Sequence, residues 1–367
     1  MSTEHVVVGL SGGVDSAVSA HLLQEAGYRV SAVFMVNWTA DEAGYCSAAE
    51  DFAAARAVAD ELQIPLERVD FSETYYEEVF RDFLAAYARG RTPNPDILCN
   101  RAIKFAPFLA HARRLGADYV ATGHYARLIK DDEDGPRLYR GLDDDKDQTY
   151  FLAAVQREAF RNVRFPLGEL RKTEVRAIAR RLGLPNHQRK DSTGICFIGE
   201  RRMRDFLAEH LSTQPGEIVD LRGRVLGAHP GVAFFTVGQR RGLVLGGVAG
   251  AREAPWYVID RDIAANRLIV DQDPQHPRLM ARRIDLLPPH WIRRPEDAGA
   301  GRSLAVETRI RHRQPLQKAR LHASEKGAQL EFTEPQRAAA PGQYAVFYGP
   351  DGECYGCAEI EKPHPLG

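Results

Sequence analysis

No apolar run in the chain is long enough to span a bilayer: stretches such as "VVVGL" (6–10) fall far short of the roughly 20 residues that a membrane helix needs. The start, "MSTEHVVVGLSGG", has no basic region followed by an apolar stretch, so no signal or transit peptide is expected. Cysteine is scarce. Five in 367 residues, odd in number and widely spaced, exclude a disulfide framework and suit a reducing cytoplasm. Internal repeats and low-complexity tails are missing as well, which excludes repeat arrays. Lysine is rare beside arginine, 8 against 41.

What remains is a globular composition, 44% hydrophobic and 27% charged, at a length that implies two or three domains. The net charge of −1 hides an asymmetry. Residues 1–150 hold 15 basic and 25 acidic groups, and residues 151–367 hold 34 and 25, giving −10 and +9. A basic second half suits a polyanionic partner, although general arginine abundance would leave the same trace.

Strand-like and helix-like patterns alternate through the first 125 residues. Strands are expected at 5–10, 29–36, 66–71 and 118–123, and helices at about 16–26, 73–89 and 100–115. Ser47 with Glu50 reads as a capping box that opens an alanine-rich helix to about Gln63. Such alternation implies a parallel sheet covered on both faces, with ligands beyond the carboxyl ends of its strands. "ARLIKDDEDGPRLYRG" (126–141) reads as a hairpin, and a helix is expected at about 173–182. Past about 210 short β-like runs are broken by Gly and Pro, and a Pro-rich stretch (274–295) precedes a segment that reads as a small antiparallel barrel or sandwich.

Chemistry concentrates in a few places. "GLSGGVDS" (9–16) lies between the first strand and the first helix. Its glycines let backbone approach an anion closely, the helix start offers unpaired N–H groups, and Ser11 and Ser16 add hydroxyls. It is not a GK[ST] phosphate loop, because no lysine comes after the glycines. "GRTPNPDILCN" (90–100) places Cys99 three residues after Asp96, just before a helix-like segment that would favour the thiolate. In "DSTGICFIGERR" (191–202), turn formers and nearby basic residues surround Cys196, the setting of a working thiol rather than a core one.

The SGGxDS loop resembles the pyrophosphate-loop motif of enzymes that split ATP between its α- and β-phosphates, where Asp15 would help hold Mg²⁺. With "ATGHYAR" (121–127), "KDQTYFL" (146–152), "FPLGEL", "TVGQRRGL", "PWYVIDRD" and "PGQYAVFY" (341–348), the chain resembles the tRNA-specific 2-thiouridylases over nearly its whole length. That resemblance implies an α/β fold: an N-terminal doubly wound parallel sheet of the adenine nucleotide alpha hydrolase type over 1–205, a small β-rich domain over 206–280, and an antiparallel β-barrel over 281–367. It implies ATP contacts at Gly9, Leu10, Ser11, Gly12, Gly13, Val14, Asp15, Ser16, Met35 and Gly123. The target uridine would meet Asn94, Pro95 and Asp96, while tRNA would touch His124, Lys146, Asp147, Gln148, Arg309, Arg311, His312, Arg313 and Gln343. By the same resemblance Cys196 carries a persulfide sulfur and Cys99 is its partner thiol. A cysteine desulfurase or a relay protein would supply the sulfur.

Read from the residues themselves, Asp96 suits proton transfer, although a helix-capping role fits equally. Arg309, Arg311 and Arg313 alternate, so a strand would set them on one face as a phosphate stripe. "CYGC" (354–357) would place its two thiols on opposite faces of a strand, so Cys354 and Cys357 read as structural, as does Cys46. Two alternatives stay open: an amide-forming ligase on the same loop, and a non-catalytic nucleotide- or tRNA-binding module.

Overall fold

The computed structural model describes residues 4–38, 48–129, 135–191, 203–211, 213–246, 250–299, 302–324 and 326–366. Strands β1 (His5–Gly9), β2 (Arg29–Val36), β3 (Leu66–Asp70) and β4 (Tyr119–Ala121) are succeeded by the hairpin β5 (Ala126–Ile129) and β6 (Arg137–Arg140), then β7 (Val163–Arg164). Five of them form one sheet in the order β3-β2-β1-β4-β7, every pair parallel. Side chains alternate across a strand, and the "VVV" of β1 therefore serves two cores. Val6 and Val8 pack with Val18, Val58 and Val175 on one face, and Val7 packs with Phe83, Ile103 and Phe108 on the other. The sheet is doubly wound.

Helix α1 (Val14–Glu25) comes soon after β1. The helix expected at 73–89 runs from Ser72 to Ala88 with a π turn at Tyr76–Phe80. The one expected at 100–115 differs. It begins earlier, at Pro95, passes through a π turn at Asn100–Lys104, and restarts at Pro107 after a break. Proline lacks an N–H and clashes inside a helix, so both prolines sit at starts. The alanine-rich helix spans Ala48–Glu61, and Ser47 of the expected capping box lies outside the described residues.

A second sheet, order β10-β11-β8-β9, is built from β8 (Gly216–Val219), β9 (Val225–His229), β10 (Tyr257–Asp262) and β11 (Arg267–Asp271) around Ile218, Val258 and Leu268. The last unit comprises β12 (Met280–Leu286), β13 (His290–Trp291), β14 (Ser303–Arg309), β15 (Gln317–Ser324), β16 (Gly327–Arg337), β17 (Tyr344–Tyr348) and β18 (Cys354–Pro365). Six of these strands take the order β12-β16-β15-β14-β17-β18, and β18 pairs back onto β12, closing an antiparallel barrel with β13 added against β18. Closure satisfies backbone groups that an open sheet would leave at its edges.

The loop at 90–94 meets both later units. Arg91 donates to Glu359 Oε1 at 2.6 Å and to the Ile360 carbonyl at 2.9 Å, and Arg261 donates to the Gly90 carbonyl at 2.5 Å. At Gly342 a β-carbon would sit 2.8 Å from Thr92 N with φ at +94°, so glycine is required for this approach.

Candidate active site

The first centre lies at the carboxyl ends of β1, β2 and β4. Gly12 has φ +78°, and a β-carbon there would approach the Asp51 carbonyl to 2.5 Å. Gly13 is the N-cap of α1 with no side-chain cap, which leaves first-turn N–H groups directed at the loop's concavity. Leu10 and Val14 are buried supports of this loop. The serine hydroxyls are engaged within the loop. Ser16 is buried and donates to the Gly13 carbonyl at 3.1 Å, while its Oγ lies 3.2 Å from both the N and Oγ of Ser11. These hydroxyls brace the loop. Gly123 allows α1 to lie close, since a β-carbon there would meet Ser16 N at 2.9 Å. On the neighbouring strand, Met35 Cε would be 3.1 Å from a β-carbon on Gly9.

Asp15 is not an open metal ligand. Both its oxygens lie 2.8 Å from Lys172 Nζ, and Oδ1 also accepts from Tyr125 OH at 2.8 Å. Lys172 is buried and reaches Asp191 as well, at 2.8 Å. Asp191 in turn takes Lys146 at 2.8 Å and Arg176 at 2.6 Å. Partial burial works to raise the Asp191 pKa, but the hydrogen bonds and charges of Lys146 and Lys172 outweigh it and hold the carboxyl at about 2. Among the described residues no group of three or more His, Cys, Asp or Glu side chains comes together to hold a metal ion. This network was not read from the sequence. The rarity of lysine is the one signal that could have singled out Lys172.

The second centre is a cleft of about 490 Å³ where all three units meet. Asn94, Asp96 and Phe151 come from the first, Thr236 to Gln239 from the second, and Arg311, His312 and Gln343 from the barrel. Asn94 caps the helix Pro95–Cys99 by accepting from Ile97 N at 3.3 Å, with Pro95 as its first residue. Gln343 donates to the Thr92 carbonyl at 2.8 Å, fixing the barrel against this loop. Asp96 is therefore not the cap; it is half-buried in the cleft wall, and burial raises its pKa, with Lys104 opposing in part. Cys99 is 2% exposed and lies inside the helical run, between the turn begun at Pro95 and the π turn at Asn100–Lys104, so the helix-start argument for its thiolate does not hold. His312 packs on Phe151 with ring centroids 4.4 Å apart and planes tilted by 40°, and burial together with Arg313 and Arg309 brings its pKa down to about 4.

A wider cleft of about 580 Å³, lined by Lys146, Asp144, Arg313 and Gln314 among others, opens alongside. Here the arginine stripe fails. Strand β14 ends at Arg309, and the chain then turns, with Arg313 in the left-handed region at φ +64° and Gln314 N bonded to the Arg311 carbonyl at 3.2 Å. Arg309 is buried against Asp147 at 2.9 Å, Arg311 donates to the Ala338 carbonyl at 2.5 Å, and Arg313 alone of the three is exposed.

Two other expected tRNA contacts are also buried. Asp147 is 1% exposed and accepts from Arg309, Arg140 and Thr149. His124 lies between Phe105 and Phe165 with Nδ1 2.7 Å from Thr122 Oγ1, and burial holds its pKa well below the usual value. Gln148 accepts from Tyr125 N at 3.0 Å. Cys196 and Cys46 lie outside the described residues.

The opposite-face reading of "CYGC" is overturned. Tyr348 pairs with Cys354 but Phe347 pairs with Gly356, so Tyr355 is an extra residue in β18. That bulge resets the alternation, and Cys354 and Cys357 enter the same core. Burial pushes the Cys357 thiol up to about 12 and Cys354 well above its usual range, the state of inert core thiols.

Family models match three consecutive stretches. One described as a tRNA methyl transferase HUP domain covers 4–200, a tRNA methyl transferase PRC-barrel domain covers 204–272, and an aminomethyltransferase beta-barrel domain covers 281–360. A tRNA-specific 2-thiouridylase of Pseudomonas entomophila is 49% identical over 362 residues, which is 98% of this chain and 95% of that one. One from Alcanivorax borkumensis is 50% identical over 97% of each chain, and one from Legionella pneumophila is 47% identical over 97% and 98%.

Proposed function

Because the chain belongs to the family of tRNA-specific 2-thiouridylases, we propose that its three units together perform ATP-dependent 2-thiolation of the wobble uridine of tRNA. It is an enzyme, a tRNA-uridine sulfurtransferase. The observation that carries the assignment of residues is the convergence of Asp96, Arg311, His312 and Gln343 from sequence-distant units on one cleft. The glycine loop of the first centre suits a polyphosphate.

In this reading the uridine enters the 490 Å³ cleft, out of its stack, against Asn94 and Asp96, while Pro95 is buried in the helix start and lies outside the cleft lining. Asp96, with its raised pKa, accepts the N3 proton as the 2-oxygen attacks the α-phosphate of ATP. The bond to the β-phosphate breaks, and its electron pair leaves on pyrophosphate. Adenylation makes the 2-oxygen a leaving group. A persulfide on Cys196, loaded by a donor protein, then supplies sulfur to C2, and AMP departs. Either that persulfide attacks C2 itself and the Cys99 thiolate then cleaves the C2–S–S–Cys196 adduct to release 2-thiouridine, or Cys99 first displaces hydrogen sulfide, which attacks C2; both routes leave a Cys99–Cys196 disulfide that a thiol reductant reopens. Mg²⁺ enters as the counter-ion of ATP. Asp15 does not fit as its ligand while both oxygens face Lys172.

Lys146, Arg311, His312, Arg313 and Gln343 are expected tRNA contacts that line clefts, whereas buried His124 and Asp147 are assigned to holding them in place, as is Arg309, which borders the wider cleft but is buried against Asp147. The few, widely spaced cysteines favour a reducing, cytoplasmic setting. Among the described residues no helix is long and apolar enough to cross a membrane. The test combines intact-protein mass after incubation with a sulfur donor and nucleoside analysis of the tRNA. Cys196→Ser is expected to accept no persulfide and make no 2-thiouridine, and Cys99→Ser to load sulfur and release pyrophosphate yet stall. Full thiolation by either variant would refute the thiol assignment, and persulfide on Cys99 would reverse it.

A further inference from the structure

The glycine loop lacks the lysine that phosphate loops of the GK[ST] type carry one residue after their last glycine. A loop that handles a triphosphate without one has a charge problem, made worse by Asp15 in the first turn of α1. The fold answers it from 157 residues away. Lys172, the first residue of the helix Lys172–Arg181, directs its ammonium back to α1 and lies 2.8 Å from both oxygens of Asp15.

Several features set this lysine apart from an ordinary surface ion pair. It is 8% exposed, whereas lysine is rarely buried at all. It is shared between two carboxylates, Asp15 and Asp191, each at 2.8 Å. Asp191 is itself over-supplied with cations, since Lys146 and Arg176 also bind it. Releasing Lys172 from Asp191 would therefore leave no bare anion behind. Tyr125, whose hydroxyl donates to Asp15, provides that carboxylate with a second partner. The ammonium is held in place, yet its loss from either partner is already compensated.

We infer that Lys172 is the phosphate-binding cation of the glycine loop, neutralising the charge that gathers on pyrophosphate as it leaves. The inference deepens the proposed reaction and rests on it. During that step the α–β bridging bond breaks and its electron pair moves onto pyrophosphate. Lys172 transfers no proton; it supplies a fixed positive charge in a partly desolvated site, where such charge counts for more than in water. Its two carboxylates keep it from swinging away.

The test uses the full chain with a substrate tRNA, measuring tRNA-dependent pyrophosphate release and, separately, ATP binding by equilibrium dialysis. Lys172→Gln retains a hydrogen-bond donor beside Asp15 without the charge, and Lys172→Arg retains the charge. The glutamine variant is expected to lose about 100-fold in pyrophosphate release, the scale found for removing one oxyanion-stabilising donor, and the arginine variant to stay within about tenfold of wild type. Asp15→Asn is then added to Lys172→Gln. If Lys172 acts on phosphate, the double variant stays as slow as Lys172→Gln. Recovery of release in the double variant would mean that Lys172 merely neutralises Asp15 and would overturn the inference. Wild-type release by Lys172→Gln would overturn it as well. Should Lys172→Gln fail to fold, as circular dichroism would show, a fully active Lys172→Gln/Asp15→Asn double variant still defeats the inference and a slow, folded one supports it. Absence of pyrophosphate release by the wild-type protein would defeat the functional reading itself, a separate outcome.

Discussion

Asp96 combines a catalytic assignment with a cost to the fold. Its pKa is raised by burial, so the native state holds the proton more tightly than the unfolded chain does. Stability contributed by the protonated form is accordingly lost as pH rises from the ordinary carboxylate value of 3.8 through the raised one. Asp96→Asn is therefore expected to raise the melting temperature at pH 7 while abolishing 2-thiouridine formation, read by thermal denaturation beside nucleoside analysis. His312 has the opposite logic. A histidine whose folded pKa falls from 6.5 to about 4 stabilises fully above 6.5 and loses that contribution as pH drops toward about 4. In chemical denaturation between pH 7 and pH 4, His312→Gln is expected to flatten the acid-side loss. An unchanged slope would mean that His312 does not titrate in its packed position on Phe151.

Between elements, the decisive contact is Asp147 of the first unit with Arg309 at the end of β14, side chains 0% and 6% exposed. Removing one member of a buried pair costs about 3–5 kcal/mol where the other charge is left bare, and because Arg140 and Thr149 still hold Asp147 the loss here falls at the low end of that range. Arg309→Ala should lower stability by that order and weaken tRNA binding only through misplaced barrel loops. Exposed Arg313, a few residues on, has the reverse expectation. Arg313→Ala should leave the melting temperature unchanged, weaken tRNA binding and reduce its salt dependence by about one phosphate contact. Equal melting temperatures for the two variants would contradict this division. The stripe that alternation suggested fails for a local reason: the strand ends at Arg309, and the chain bends into a turn before it reaches Arg313.

At the scale of the whole molecule, the cleft exists because the loop at 90–94 is gripped by both later units. Arg91 bonds Glu359 and Ile360 of the barrel, while Arg261 of the middle unit bonds Gly90. Arg91→Ala is expected to leave ATP binding intact, since the glycine loop lies far from it along that unit's chain, and to slow tRNA-dependent pyrophosphate release. Pyrophosphate release equal to wild type at all tRNA concentrations would show that the barrel is not needed to shape the uridine cleft. The charge asymmetry of −10 and +9 divides the chain at residue 150, inside the first unit; by units the charge is nearly balanced, −3 over residues 1–205 and +2 over 206–367, so any basic face offered to a polyanion is local.

Short-range features were legible in the residues alone. The strand–glycine–helix order of residues 5–25 dictates where the glycine loop forms, because glycine conformations and helix starts are local properties. The alternation of β- and α-patterns determined a parallel, two-faced sheet for the same kind of reason. Asn94–Pro95 likewise carries its own helix start, and reading that start five residues late is what misplaced Cys99. What the residues could not disclose depends on partners brought from far along the chain. Lys172 meets Asp15 across 157 residues and Arg309 meets Asp147 across 162. The bulge at Tyr355 turns two thiols to one side through its pairing with β17, which no spacing within β18 records. Burial decides whether His124, Asp147 and Arg309 face a ligand or a core, and burial is settled by packing between elements, after local propensity has done its part.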